Sequence, residues 1–233
     1  VFPTRLFKPA MMTPSLIGAA LDGGRSLSGD AQFAELSGGG RWSVAFSDIS
    51  LIRPPQVKAW RALEAALDSG ATPILVPLAD RRHQPLLNPK YSGGDGFGLS
   101  IWDEGVTPWT PEEITAVVAA DAALRSTQLT FTYAGGAPLM GGEHFSIEHA
   151  RHGARMHRIS RIVAQGGTVT IEFRPPLREA VSVGELLNFE SPRCTMRLDG
   201  EMAAPLTMWR WASGASVKFV ETFPPVVIES EGG

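Results

Sequence analysis

One cysteine, Cys194, stands in a chain of 233 residues. A lone thiol excludes an intrachain disulfide and any multi-cysteine metal site, and its plainest reading is a small buried hydrophobe. Positive charge is not in excess either: 21 Lys and Arg face 24 Asp and Glu, a formal net charge of -3. That argues against a general nucleic-acid binder, which needs a basic surface to displace counterions. It leaves room for a channel through which DNA passes without sticking. No apolar run approaches the roughly 20 residues of a membrane span. The opening Val1-Phe2-Pro3-Thr4-Arg5 lacks the basic stretch and apolar core of a signal peptide. The expectation is a soluble protein that folds in a reducing cytoplasm and is free to end in an extracellular particle.

Catalytic signatures are missing too. There is no G-x-S-x-G elbow, no HExxH helix signature and no G-x-G-x-x-G between a strand and a helix. Gly38-Gly39-Gly40 lacks the lysine and Ser/Thr of a phosphate loop, and Cys194 has no histidine neighbour in sequence. Asp103-Glu104 and Glu112-Glu113, with Trp102 and Trp109 nearby, are the one place where a glycosidase-like carboxylate pair is imaginable. Adjacent acids point in different directions, however, and solvated surface is the plainer reading. The expectation is a protein that is not an enzyme.

What the chain does have is turn-rich β patterning. Apolar residues make up 43% and charged residues 19%, a globular composition, and 25 Gly and 18 Pro spread without a repeat imply many turns between short strands. Trp42, Val44 and Phe46 alternate with small or polar residues over Arg41 to Ser47, the period of a half-buried strand. Ala31 to Leu36 reads as its partner, opened by a turn at Gly29-Asp30. Pro55 to Ser69 is the one strong helix: prolines suit its first turn, Val57, Trp60, Leu63 and Leu67 form an apolar stripe, and Gly70 suits a left-handed cap. Ile74 to Leu78 follows as a buried strand.

Residues 80–110 read as a long irregular stretch holding Tyr91, Phe97, Trp102 and Trp109, of the kind used for function or for packing on a neighbour. Thr110-Pro111-Glu112-Glu113 opens a second helix through Leu124 by a capping-box pattern, with a strand and turn over Ala116 to Ala123 as the alternative. From Ser126 short strands succeed one another: Gln128 to Tyr133, Glu143 to Glu148, Met156 to Val163, Thr168 to Arg174 and Leu186 to Phe189. That spacing implies a small barrel or sandwich. Thr195 to Leu198 and Ser216 to Phe223 are further strands. The layout is a mainly β domain with one helix (1–125 and 192–233), interrupted by a small β unit at 126–191.

Four of the five histidines, His144, His149, His152 and His157, fall in one segment. Zinc is the sharp reading, and His149 with His152 has an i, i+3 spacing. Structural zinc favours thiolates, though, and Arg151, Arg155 and Arg158 would repel a cation. The plainer reading is a solvated hairpin, Glu148 to Arg155, with an exposed polar tip; between the two lies a basic patch for a partner subunit or an anionic glycan. No metal or cofactor is expected.

Three stretches carry a family resemblance. The first runs from Ser26-Leu27-Ser28-Gly29 to Gly40-Arg41-Trp42-Ser43-Val44, then Lys58-Ala59-Trp60-Arg61-Ala62-Leu63 and Ile74-Leu75-Val76-Pro77. The second is Gly142 to Ile147 with Met156-His157-Arg158-Ile159, continuing into Thr168 to Ile171 and Arg174-Pro175-Pro176-Leu177-Arg178. The third is Cys194 to Leu198 and Ala215 to Glu221. Their order resembles the distal tail proteins of long-tailed siphophages, which form a ring near the tail tip. The stretch from Pro85 to Trp109 has no counterpart in that pattern.

The resemblance implies a tail-tube-like β-sandwich with a flanking helix and an inserted small β-barrel facing outward. It implies a hexameric homo-oligomer ring joining the tail tube protein to the baseplate hub protein, near the tape measure protein, in a virion assembled in the host cytoplasm. DNA would pass through the lumen without specific binding, helped by mild acidity, and no membrane insertion is implied. It brings no catalytic residues. A ring needs heterologous faces whose rotation closes, and edge strands at Arg41 to Ser47 or Ser216 to Phe223 would supply them by strand addition. The candidate subunit-interface residues are therefore Trp42, Phe46, Val217 and Phe219. Tyr91, Trp102, Trp109, His149 and His152 are candidate partner or glycan contacts. The rival reading is a carbohydrate-binding or host-surface-binding β module built on the irregular stretch.

Overall fold

The computed structural model describes residues 1–18, 20–25, 29, 31–35, 39–78, 85, 114–204 and 212–223. The chain is mainly β, as expected. In order, its elements are α1 (Thr4–Phe7), β1 (Met11–Ile17), β2 (Ala20–Arg25), β3 (Ala31–Glu35), β4 (Arg41–Leu51), α2 (Pro54–Leu67), β5 (Ile74–Pro77), β6 (Thr115–Val118), β7 (Gln128–Ala134), β8 (His144–His149), β9 (Gly153–Gln165), β10 (Val169–Arg174), β11 (Leu187–Asn188), β12 (Arg193–Leu198) and β13 (Ala212–Glu221).

Two compact units emerge. The first comprises Val1–Leu78, His149–Ala154 and Arg193–Gly233, and the second Ala79–Glu148 and Arg155–Pro192. Two boundaries differ from the sequence expectation. Residues 115–125 fall with the second unit, because β6 pairs with β7 from Thr115↔Ala134 to Val118↔Phe131. Residues 149–154 fall with the first.

The first unit is built on a five-stranded sheet ordered β1-β4-β13-β12-β5, with β2 and β3 as a separate hairpin. Phe2 stacks on Phe46 at 4.8 Å and meets Phe219 edge-on at 5.2 Å, while Phe7 of α1 meets Trp60 of α2 at 5.2 Å. The N-terminal segment thus supplies the aromatic filling at the sheet and the helix, and the area these rings remove from water is the main stabilising term. Gln56 fixes the start of α2. Its Oε1 accepts from the amides of Ile52 and Arg53, and its Nε2 donates to the Leu6 carbonyl at 2.9 Å. A third-position glutamine reaching back in this way satisfies amides that the helix leaves orphaned.

Gly70 is not a solitary cap. Asp68, Ser69 and Gly70 all have positive φ, and a side chain on Gly70 would lie 2.7 Å from the Leu198 carbonyl oxygen. β3 pairs with β2, not with β4 as its position in sequence implies; β4 lies between β1 and β13.

The second unit is a six-stranded sheet ordered β11-β8-β9-β10-β7-β6. It comes close to closing on itself. Val117 bridges Leu186, the Val118 amide donates to Glu185 O, and the Gly184 amide donates to Val118 O, both at 2.9 Å. Register shifts at Thr170/Ile171 and Glu172/Phe173 bend the β9–β10 ladder, as barrel curvature requires. Phe131, Phe145, Phe173 and Phe189 centre the core, ringed by Ile147, Ile159, Val169 and Ile171. Of the two readings of this stretch, the strand-and-turn alternative holds over residues 114–124 and the helix does not: β-branched Val117 and Val118 lie across from Thr132 and Phe131 of β7, and this long-range pairing overrides the local capping pattern.

Candidate functional site

The histidine segment is not a solvated hairpin. Glu148, Ala150 and Arg151 are exposed, whereas His149, Arg155 and His157 are buried. His157 shares the inward face of Ile159 by alternation, but Ala154, Arg155 and Met156 are buried too, so over Ala154 to His157 both faces of β9 are covered. His157 stacks on Phe145 at 5.3 Å and meets Phe173 edge-on at 5.0 Å, and its Nδ1 lies 2.8 Å from Pro175 O. A carbonyl oxygen can only accept, so Nδ1 carries the hydrogen and donates. The imidazole is a core side chain with a polar handle. His149 is likewise buried, so the glycan contact expected of it has no surface to work from. His152 is half-buried and meets Phe223 edge-on at 5.9 Å. Among the described residues, no three His, Cys, Asp or Glu side chains group as a metal site.

The expected subunit-interface residues are placed differently. Trp42, Phe46, Val217 and Phe219 are all buried within the first unit. β4 and β13 are central strands with a neighbour on each side, so neither can take a further strand. Their aromatic and β-branched side chains fill the core for the reason that made them conspicuous in sequence: alternation marks a buried face without saying what covers it. Where β13 stops pairing with β4 at Val220↔Ser43, the buried Glu221 carboxylate takes over and accepts the Trp42 amide at 3.0 Å.

The edge of this sheet lies elsewhere. β1 pairs with β4 over Met11↔Ser47 to Ile17↔Arg41, and no strand among the described residues pairs with its far side. Its burial alternates between exposed and half-buried with no buried position, and Met11 and Ile17 are exposed. The opposite edge, β5, is partly covered: the Phe2 amide donates to Leu75 O at 2.8 Å. In the second unit the bridge from Val117 to Leu186 brings the two edges of the sheet close to closure. Among the described residues β1 therefore presents an open backbone edge of this five-stranded sheet, and it was missed in sequence because Pro14 interrupts it. Proline in a sheet is confined to edges and bulges, which is the signal that identifies β1 as one.

Cys194 is buried in β12, as a small hydrophobe would be. Tyr91, Trp102, Trp109, Asp103, Glu104, Glu112 and Glu113 lie outside the described residues. An open depression of about 520 Å³ in the second unit is lined by Ala120 to Ser126 and Gln128 to Thr130. Its polar groups serve the local turns: Asp121 accepts the Val183 amide, and Ser126 bonds the Gln128 backbone. Tyr133 is a second polar anchor. Its hydroxyl donates to Ala137 O at 3.0 Å, and burial, with Glu143 as a lesser cause, pushes its pKa up to about 12. Glu143 in turn accepts from the Met140 and Gly141 amides, both at 2.7 Å, and holds that turn. These carboxylates shape loops and do not converge on a reacting centre. No helix among the described residues is long and apolar enough to cross a membrane. No protein-family model matches the chain, and no curated protein matches it.

Proposed function

We propose that the chain is a structural, non-enzymatic assembly protein whose first unit joins copies into a ring, as the distal tail proteins of siphophages do. The observation that carries the assembly reading is the open β1 edge of the first unit's sheet. An exposed edge is a template for another strand, and proteins that keep one without a partner guard it with charge, proline, bulges or a cover. β1 holds no charged residue, and its one guard is Pro14, which removes a single backbone donor from Met11-Met12-Thr13-Pro14-Ser15-Leu16-Ile17. Strand addition there by a different surface of the next copy is heterologous, and such contacts make a ring when the rotation closes.

The ring number of six, the tail tube and baseplate hub as neighbours, and DNA passage through the lumen come from the resemblance. The mild acidity of the chain supports passage without binding. Negative-stain imaging of the purified chain tests the reading. Rings with a central hole are expected, and a field of single 25.0 kDa particles at high concentration overturns it.

A further inference from the structure

The backbone groups that β1 leaves open can be assigned residue by residue. Successive residues of a strand direct their amides and carbonyls alternately to its two sides. A Cβ on Gly40, the residue before β4, would lie 2.5 Å from the Ile17 carbonyl oxygen, so the backbone of Ile17 faces β4. By alternation Met11, Thr13 and Ser15 face β4 as well, and Met12, Pro14 and Leu16 face the open side. That is the side on which a proline is tolerated, because its ring nitrogen has no hydrogen to give β4. The ladder agrees: Pro14 lies opposite Val44 with no register shift on either side.

The open side therefore offers the amides of Met12 and Leu16 and the carbonyls of Met12, Pro14 and Leu16. A pyrrolidine ring stands where the central donor would be, at the middle residue of Met11–Ile17. Symmetry makes this placement selective. In a two-fold pair each copy brings the same surface, so two β1 strands paired in this way meet the missing donor twice. In full overlap Pro14 lies against Pro14, and the pair at the centre of the ladder loses both of its bonds. Met11 of one copy then lies opposite Ile17 of the other. A strand from a different surface meets the proline once and keeps all of its own amides.

We propose that Pro14 is a specificity-determining residue: it bars β1 from pairing with β1 of a second copy about a two-fold axis, and reserves the edge for a different surface of that copy. The inference rests on the edge reading above and deepens it by naming the contact that the edge refuses.

Native mass measured over a concentration series tests it with Pro14→Val, which restores the donor and suits a strand. A two-copy species of about 50 kDa is expected in Pro14→Val and not in the parent at the same concentration. Two restored bonds should tighten that pairing by at least about tenfold. Adding Met11→Lys and Ile17→Lys to Pro14→Val sets lysine against lysine in the overlapped pair and is expected to remove the two-copy species. Circular dichroism checks the fold of each variant, and Pro14→Thr takes the place of Pro14→Val if the latter does not fold. A substituted chain with the parent's mass profile overturns the proposal, as does a two-copy species equally present in the parent or one that survives the lysines. The parent's own mass is read separately. A parent that stays at 25.0 kDa refutes the ring and leaves the comparison with Pro14→Val decisive.

Discussion

Raising the pH above 10 should destabilise the second unit through one identifiable side chain, Tyr133. Its pKa is raised from 10.0 to about 12, chiefly by burial and to a lesser degree by Glu143. The folded protein therefore keeps a phenolic proton that the unfolded chain has already released. The contribution of this group to stability is complete below pH 10 and is lost as the pH rises through about 12. Two pKa units correspond to about 2.7 kcal/mol at most. Because the side chain is only half-buried, solvent screening reduces the expected loss to about 1–2 kcal/mol. Two tyrosines are present, Tyr91 and Tyr133, so a Tyr91→Phe background leaves Tyr133 as the sole source of phenolate absorbance. Its midpoint should lie near 12 and fall to the ordinary value in denaturant. Glu143→Gln should bring it only part of the way down, because burial is the larger cause. In parallel, the stability difference between Tyr133 and Tyr133→Phe proteins should shrink across that pH interval. A midpoint near 10 in the folded protein, or full normalisation by Glu143→Gln, would refute the reasoning.

Other perturbations follow from the same contacts. Gly136→Ala places a methyl against the Tyr133 hydroxyl and should dislodge it from Ala137 O, costing about 1–3 kcal/mol in urea unfolding. Gly70→Ala combines a positive φ with a close approach to the Leu198 carbonyl and should lower the stability of the first unit by about 2–4 kcal/mol. Phe46→Ala should cost about 3–5 kcal/mol in the folding of the chain itself, read by denaturant midpoint; a change in subunit exchange with unchanged stability would restore Phe46 to an interface. Met11→Lys with Ile17→Lys charges the β1 edge at exposed positions. It should leave the fold intact by circular dichroism while abolishing assembly in light scattering.

Much of this fold can be read from period and punctuation. The stripe Val57, Trp60, Leu63 and Leu67 with prolines at its start was enough to place α2, because a single amphipathic helix needs only local information. The strands of the second unit from β7 to β11 were equally legible, several of them bounded by Gly or Pro pairs. What failed was whatever depends on partners distant in sequence. β3 was given to β4, although β2 claims it. Residues 110–124 looked helical until β7 offered Val117 and Val118 a ladder. The N-terminal segment went unread because its short pieces, broken by Pro3 and Pro14, have no period long enough to measure, yet Phe2 and Phe7 are core residues.

The candidate site was less legible than the fold. Polar side chains between Glu148 and Arg155 were read by polarity, as solvent-facing. Spacing from Ile159 points His157 inward, whereas the burial of Arg155 beside Ala154 and Met156 has no such signal. Trp42, Phe46, Val217 and Phe219 drew attention as an apolar face, and an apolar face in sequence is equally a core or an interface. Sheet order separates the two: central β4 and β13 are core, and β1 is an edge.

Native mass decides whether the chain assembles into a closed ring. At 25.0 kDa per copy, six copies weigh about 150 kDa, and a discrete species near that mass is expected, which the β1 edge charges dissolve to single copies. A chain that stays at 25.0 kDa at every concentration, or a ladder of open-ended oligomers without a closed species, would contradict it.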